Sequence, residues 1–427
     1  MCYKDLKGDI EMIALSIAGS DPVSGAGIQA DLKTFHAFDV YCASVITSIT
    51  IQNTQGVIER IDIPSEDVKK QIEIVLSDMI VNSVKIGMLP KKETSITVKK
   101  YIENKYTVFD PVILSKNGYK LMDNDNIDYI KSKFIRDLFL ITPNIREAEI
   151  LTDERVSSEE DIKRACEILY ERGAKNVLIT GGDLNQIDIL YNGKNFFEYG
   201  SKKIKKTVHG TGCAFSSAIA ANLAKGKGLT DSVEIAKKYI TESIKNSIQM
   251  GKGYKVIDHF YNLKKESERY YVIKELKGAF SILEKENIYD LIPEVQSNLV
   301  FALKNADSSR DIAGFPGRIM KVDKKIETIG SPEFGASKHM ANLILKVMKY
   351  DSEIRSAMNI KYSKRIIDLC KRLNYHVFFI DRKKEPEEIK KKEGESLKWE
   401  IEEVFKKTER IPDVLYDIGD IGKEPMI

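Results

Sequence analysis

Residues 208–226 read VHGTGCAFSSAIAANLAKG. Glycines at 210 and 212 free the backbone to aim successive N–H groups at one spot, just where an apolar helix begins. From about Gly212 onward that helix would bury Ala214, Phe215, Ala218, Ile219 and Leu223 on one side. Its positive dipole end and unpaired first amides suit a phosphate or a developing anion. A Walker-type lysine is missing, and no GxxxxGK[ST] occurs anywhere in the chain. Cys213 opens three readings: a small buried hydrophobe, a metal ligand or a catalytic group. Its place at a helix N-terminus favours the last, because the same dipole would lower its thiol pKa.

The whole chain narrows these readings. Its 427 residues lead us to expect two or three domains. A 42% hydrophobic and 31% charged composition describes a globular protein with a sizeable core. The net charge of +3 makes no case for nucleic acid as a partner. No run of about 18 apolar residues exists, which argues against a membrane partner. The start, MCYKDLKGDIE, lacks an apolar run and a cleavage site, so it does not resemble a signal peptide. Five cysteines (2, 42, 166, 213 and 370) have no paired spacing, which predicts a reducing, cytoplasmic setting without disulfides. Only His209 lies near Cys213 in sequence, so a metal ion bound there is disfavoured.

Outward from the opening stretch, short apolar runs alternate with amphipathic ones. MIALSIAG (12–19), SVKIGML (83–89), YTVFDPVI (106–113), LFLITPN (138–144) and NVLITGG (176–182) read as strands. EDVKKQIEIVLSDM (66–79) and SEEDIKRACEILYERG (158–173) read as helices, the second capped by Ser158 and closed by Gly173. This alternation predicts an α/β fold, a mostly parallel sheet with helices on both faces. QIDILYNGKNFFEYG (186–200) differs, with two strand-like runs meeting at Asn192-Gly193 as in a hairpin. A long helix over 229–250 closes the unit. Beyond a boundary near 262–267 the pattern changes to a smaller α+β domain. Its expected elements are helices near 268–285, 339–351 and 363–373 and strands at 376–381 and 412–420.

In open parallel sheets, ligands bind beyond the carboxyl ends of the strands. GSDPVSGAGIQAD (19–31) follows the first strand; its glycines permit close backbone approach, and Asp21 and Asp31 supply charge. A plain strand-to-helix turn would account for it equally well. Asp110 and Lys116 in DPVILSKNG, and Asn144 and Glu147 in TPNIREAE, follow other strands. Taken singly, each would be a cap or a surface ion pair. Together at one sheet edge, their hard oxygens suit Mg²⁺ held through water and phosphate, which favours phosphoryl transfer.

AGSDPVSGAGIQADLKTF, SITIQNTQGV, VKIGML, DPVILSKNG, ITPNIREAEIL and HGTGCAFSSAIAANLAKG occur in order over about 12–260. In this the chain resembles the hydroxymethylpyrimidine/phosphomethylpyrimidine kinases, ribokinase-like enzymes of thiamine biosynthesis. It departs at Val23-Ser24, where the family usually has Ser-Gly. The resemblance implies ATP as phosphoryl donor, Mg²⁺, and two successive phosphorylations of one small-molecule substrate. It implies that Gln52 meets the aminopyrimidine beside Gly19, Ala26 and Met88, with Asp31 near the substrate side of the cleft. Lys116, Asn144, Thr180, Gly181 and Gly182 would border the nucleotide phosphates, and Asp110 and Glu147 the metal. Gly210, Thr211, Gly212 and Cys213 would form the anion hole, with Cys213 taking the hydroxyl proton or orienting that hydroxyl.

In the second part, GFPGRI (314–319) puts Arg318 behind two glycines. EFGASKHMAN (333–342) puts His339 in the first turn of a helix starting near Ser337. Arginine forks suit phosphate, and so does a helix N-terminus; a surface ion pair and a packed histidine are the plain alternatives. With PEVQSN, EIRSAMNIKYS and PDVLYDIGDIGKEPMI, these motifs resemble archaeal-type thiamine-phosphate synthase domains. That resemblance implies coupling of a pyrimidine diphosphate to thiazole phosphate, with Arg318 and His339 stabilising the departing pyrophosphate. The expected organisation is an extension over 1–11, a kinase domain over 12–262 and a synthase domain over 268–427, in a homo-oligomer. Rival readings are a non-catalytic thiamine-phosphate sensor at the C-terminus, a pyridoxine-type kinase, or a scaffold with idle glycine loops.

Overall fold

The computed structural model describes residues 12–103, 105–182, 184, 187–200, 204, 206–381, 399, 402, 404, 408, 410–419 and 424–427. The extension expected over 1–11, and Gly422 and Lys423 of the C-terminal motif, lie outside the described residues. The chain divides into two compact units, Met1–Leu263 and Lys264–Ile427. That division falls inside a continuous helix, Tyr261–Lys285.

The first unit is built on a sheet of nine strands. They are β1 (Ile13–Ser20), β2 (Tyr41–Asn53), β3 (Gly56–Asp62), β4 (Ser83–Ile86), β5 (Tyr106–Phe109), β6 (Leu140–Ile141), β7 (Val177–Ile179), β8 (Ile187–Tyr191) and β9 (Phe196–Gly200). Their spatial order is β3-β2-β1-β4-β5-β6-β7-β8-β9. The run from β2 to β7 is parallel, and β3, β8 and β9 add antiparallel edges. Parallel strands are buried on both faces, and successive residues confirm it. Ala14 and Val108 join one core, whereas their neighbours Leu15 and Phe109 join the other.

The helices are α1 (Gly27–Ala37), α2 (Ser65–Asp78), α3 (Lys92–Lys99), α4 (Asn124–Tyr129), α5 (Ile145–Thr152), α6 (Glu159–Glu171), α7 (Thr211–Ala224) and α8 (Leu229–Lys245). Ser158 and Asp161 form a reciprocal capping box on α6. The β8–β9 hairpin turns at Gly193, whose φ of +83° needs glycine.

Three expectations change. The hairpin β2–β3 lies at the sheet edge where only a motif was read. Helix α8 stops at Lys245 rather than 250. Helix α7 is buried on every side from Ala214 to Ala224, because it packs centrally between the sheet and α8. Its run of alanines therefore serves close approach rather than one apolar face.

In the second unit, α9 (Tyr261–Lys285) leads into an antiparallel sheet. Following the short pair β10 (Val208–His209) and β11 (Lys255–Val256) of the first unit, its strands are β12 (Leu299–Ala302), β13 (Ile312–Gly314), β14 (Ile319–Val322), β15 (Lys325–Thr328), β16 (Glu333–Phe334), β17 (Ser356–Met358), β18 (Val377–Phe379) and β19 (Val414–Tyr416). The sheet order is β16-β13-β12-β17, with β14–β15 and β18–β19 as separate pairs. Helices α10 (Lys338–Val347) and α11 (Lys364–Arg372) complete it. Among the described residues no helix is long and apolar enough to cross a membrane.

Candidate active site

The glycine loops after β1 and β10 meet face to face. At Gly210, φ +84°, an added Cβ would lie 1.7 Å from the Gly25 carbonyl oxygen; at Gly27, φ +59°, it would lie 2.3 Å from the Gly19 carbonyl oxygen. These glycines let backbone pack on backbone, not on a ligand. The amides of the first loop also turn inward. Asp21 accepts from Gly25 N and Ala26 N through Oδ2 (2.9 and 2.8 Å) and from Val23 N through Oδ1 (2.8 Å), with His209 Nε2 3.6 Å away. Burial works against its charge, but His209, the Ala26 and Val23 amides and Gln52 more than offset that and hold its carboxyl below the usual range. The N–H of Ala26 is committed to Asp21, so any contact of Ala26 with substrate would be made by its carbonyl or side chain. The family departure has little effect on shape, because Ser24 keeps a glycine-like φ of +61°.

The N-terminus of α7 is different. Ala214 N makes the first helical bond, to Gly210 O, so the amides of Thr211, Gly212 and Cys213 stand ahead of the ladder. A Cβ on Gly212 would meet nothing nearer than the Asp110 carboxylate at 3.8 Å. This end of the helix is the open one.

Beneath it lies a buried ion pair. Lys85 Nζ reaches Asp31 Oδ1 and Oδ2 at 2.8 and 2.9 Å, both side chains having no exposure. Ser16 Oγ donates to Asp31 Oδ2 at 2.6 Å and Ser217 Oγ to Oδ1 at 2.8 Å. Asp31 is thus taken from the substrate side of the cleft, where the resemblance put it: its acceptors are spent tying β1, β4 and α7 to α1. Neither Lys85 nor Ser217 stood out in the sequence.

Asp110, at the end of β5, and Glu147, in the first turn of α5, are buried close together. Asp110 Oδ2 has no hydrogen-bond partner, and burial pushes its carboxyl up against the pull of Lys85. Glu147 is pushed up to about 8, first by burial and then by Asp110. One of its oxygens closes a capping box with Asn144 (Asn144 N to Oε2 and Glu147 N to Asn144 Oδ1, each 3.0 Å). An orphaned oxygen beside a second buried carboxylate fits a hard divalent cation. Among the described residues no group of three His, Cys, Asp or Glu side chains forms a metal cage. A cation there would draw the rest of its shell from water and phosphate.

Cys213 sits between these features, near the Gly27 amide and Asp110. Cys213 is only half-buried, yet the direction of its thiol pKa is upward, opposite to what the helix dipole alone would give. Burial pushes it well up; Lys85 opposes, while Asp110 and Asp31 add to the rise.

The remaining candidates gather around the same cleft. Met88 forms a buried wall, its Sδ 2.9 Å from where a Gly19 Cβ would stand. Gln52, Lys116, His209 and Tyr254 line one small cavity. Lys116 Nζ donates to Val208 O at 2.6 Å and stands 5.1 Å from the Tyr254 ring centre. Thr180 bridges Asn144, and Gly182 faces open space. Gly181 N–H donates to Asp188 Oδ1 at 3.2 Å, and Asp188 is held by Lys237 at 2.6 Å.

In the second unit Phe315–Arg318 is a tight turn, closed by Arg318 N to Phe315 O at 3.1 Å. Pro316 leads it and Gly317 has φ +66°. Arg318 is exposed and donates through Nη1 to Val295 O. His339 is exposed in the first turn of α10, whose N-cap is Ser337.

Sheet order, an open helix N-terminus and paired buried carboxylates define a ribokinase-like phosphotransferase joined to a second α+β unit. Models of two families match it: phosphomethylpyrimidine kinase over residues 21–258 and thiamine-phosphate synthase ThiN over 275–427. The chain is 36% identical to the bifunctional thiamine biosynthesis protein ThiDN of Methanocaldococcus jannaschii, across 97% of this chain and 94% of that one. It is 47% identical to the hydroxymethylpyrimidine/phosphomethylpyrimidine kinase of Aquifex aeolicus, across 58% of this chain and all of that one. The pyridoxal kinase of Staphylococcus aureus, solved with pyridoxal, superposes with a TM-score of 0.55 at 32% identity, over 59% of this chain and 95% of that one. The chain belongs to the phosphomethylpyrimidine kinase family, in the form that carries a ThiN thiamine-phosphate synthase domain behind the kinase. It is a bifunctional enzyme of thiamine biosynthesis.

Proposed function

We propose that the first unit transfers the γ-phosphoryl group of ATP to the hydroxymethyl oxygen of 4-amino-5-hydroxymethyl-2-methylpyrimidine, then phosphorylates the monophosphate. The second unit would join the diphosphate to thiazole phosphate, giving thiamine phosphate and pyrophosphate. The observation that carries the kinase reading is the open N-terminus of α7 at Gly212–Cys213, next to Asp110, whose Oδ2 has no hydrogen-bond partner. Phosphoryl transfer through a loose transition state asks mainly for positioning and charge stabilisation, and these groups supply both.

In this reading the amides of Thr211, Gly212 and Cys213 receive the equatorial phosphoryl oxygens. Asp110 and Glu147 would hold Mg²⁺, which supplies charge neutralisation on the phosphates. Gln52, offering both donor and acceptor, reads the aminopyrimidine edge between Gly19 and Met88. Lys116, Asn144, Thr180 and Gly182 border the nucleotide. A neutral Cys213 thiol orients the substrate hydroxyl and takes no proton from it. In the second unit Arg318 and His339 stabilise the departing pyrophosphate. The enzyme is cytoplasmic in this reading. The exposed isoleucines 49, 51, 58 and 61 of the β2–β3 hairpin support a homo-oligomer, checked by sedimentation.

Likeness to a pyridoxal kinase keeps one competitor in view. With ATP and both ring alcohols present, the pyrimidine should be phosphorylated preferentially, first to mono- and then to diphosphate. Preference for pyridoxal would move the kinase assignment. Incubation with the diphosphate and thiazole phosphate without ATP should give thiamine phosphate; no product would leave the second unit a sensor.

A further inference from the structure

We infer that Asn298 is a positioning residue for the coupling reaction of the second unit, setting the loop that carries Arg318. The inference rests on the synthase reading of that unit. Asn298 is buried, and its amide grips both backbone groups of one residue: Oδ1 accepts from Phe315 N and Nδ2 donates to Phe315 O, each at 3.0 Å. Phe315 is the buried first residue of the turn that ends at Arg318, and the turn closes on its carbonyl. Arg318 itself stands at φ +70°, a left-handed conformation that a long side chain keeps only where its surroundings impose it.

The clamp is braced from behind. Asn298 N donates to Asn359 Oδ1 at 2.7 Å, and Asn359 Nδ2 donates to Gln296 O at 2.9 Å. Gly314 is where the pieces meet: an added Cβ would stand 3.1 Å from Asn298 Oδ1 and 3.4 Å from the Cβ of Ser337. Ser337 stands at the N-cap position of the helix that carries His339, without a side-chain capping bond. One buried amide therefore fixes the root of the Arg318 turn, directly after Gly314, which lies close to Ser337 at the start of α10. This gives the Asn of the PEVQSN motif a task that its sequence alone does not announce.

The test is a double-mutant cycle in the full-length chain, with the kinase reaction as an internal control. Asn298→Asp keeps an acceptor for Phe315 N–H but sets a carboxylate oxygen against Phe315 O. Small displacements of a positioned group cost up to roughly 100-fold in rate. We expect synthase kcat to fall about 10–100-fold, with weaker inhibition by added pyrophosphate and an unchanged KM for thiazole phosphate. Asn298→Ser, which retains one hydroxyl for the Phe315 backbone, should fall between and serves if the aspartate variant unfolds. Combined with Arg318→Ala, either change should cost little more than Arg318→Ala alone. Full additivity, or equal loss in both substrates' KM alongside a lowered melting temperature, would overturn the inference and leave the synthase reading standing. Full synthase activity in Arg318→Ala would reject the loop's assignment, and the inference with it.

Discussion

The two candidate sites are built on opposite principles. In the first unit the chemistry-bearing groups are buried: Asp110 and Glu147 are held at a raised pKa beneath an open helix end, with a fully enclosed Lys85–Asp31 pair below. In the second, Arg318 and His339 stand exposed, and what is buried is the amide clamp behind the turn. The difference follows from the sheets. A parallel sheet covered on both faces must bring its strand-end carboxylates into low dielectric, where an uncompensated charge calls for a cation. A short antiparallel sheet leaves its loops in water, where a guanidinium needs no partner to remain charged.

Substitutions that strike each design should separate them. The largest effect belongs to Lys85→Met, which leaves Asp31 buried and unpaired. It should cost the first unit about 3–5 kcal/mol in denaturant unfolding. Loss below about 1 kcal/mol would mean that water reaches Asp31. Next come the crossed variants. Cys213→Ala should depress kinase kcat/KM and spare the coupling reaction, and Arg318→Ala should do the reverse, by roughly 100-fold each. Equal loss of both activities in either variant would erase the comparison.

A third effect is set by pH. Glu147 is raised from its ordinary 4.5 to about 8, so without metal the folded chain keeps a proton that the unfolded chain gives up. Metal-free stability should therefore fall as pH rises from about 4.5 to 8. Mg²⁺ must displace that proton, so its affinity should rise over the same range, by at most tenfold per unit for one proton. Titration calorimetry at several pH values would check this; Glu147→Gln should flatten the slope, and a flat profile in the parent would oppose the assignment. The smallest effect is at Ser24. Glycine there should relieve the φ of +61° and stabilise the unit by up to about 1 kcal/mol without changing kinase activity.

Much of this was legible in the residues. Strand and helix alternation gave the parallel core, and Asn192-Gly193 gave the hairpin. What stayed hidden was hidden for physical reasons. The β2–β3 hairpin alternates as strands should, but its exposed Ile49, Ile51 and Ile61 blur the inside and outside faces. The resemblance placed Asp31 toward the substrate; its partner Lys85 lies 54 residues on, within an apolar run that gave no sign of an ion pair. The dipole at Cys213 could be read locally, but its burial and the nearby charges of Asp110 and Asp31 are properties of packing. Gly25 and Ala26 looked ligand-facing, yet a side chain four and five residues earlier consumes their amides.

The most direct test of two separable sites in one chain is the ATP-free coupling of pyrimidine diphosphate with thiazole phosphate by the Cys213→Ala protein. Thiamine phosphate should form at the rate of the unaltered chain. A rate reduced in step with the kinase activity would contradict the account.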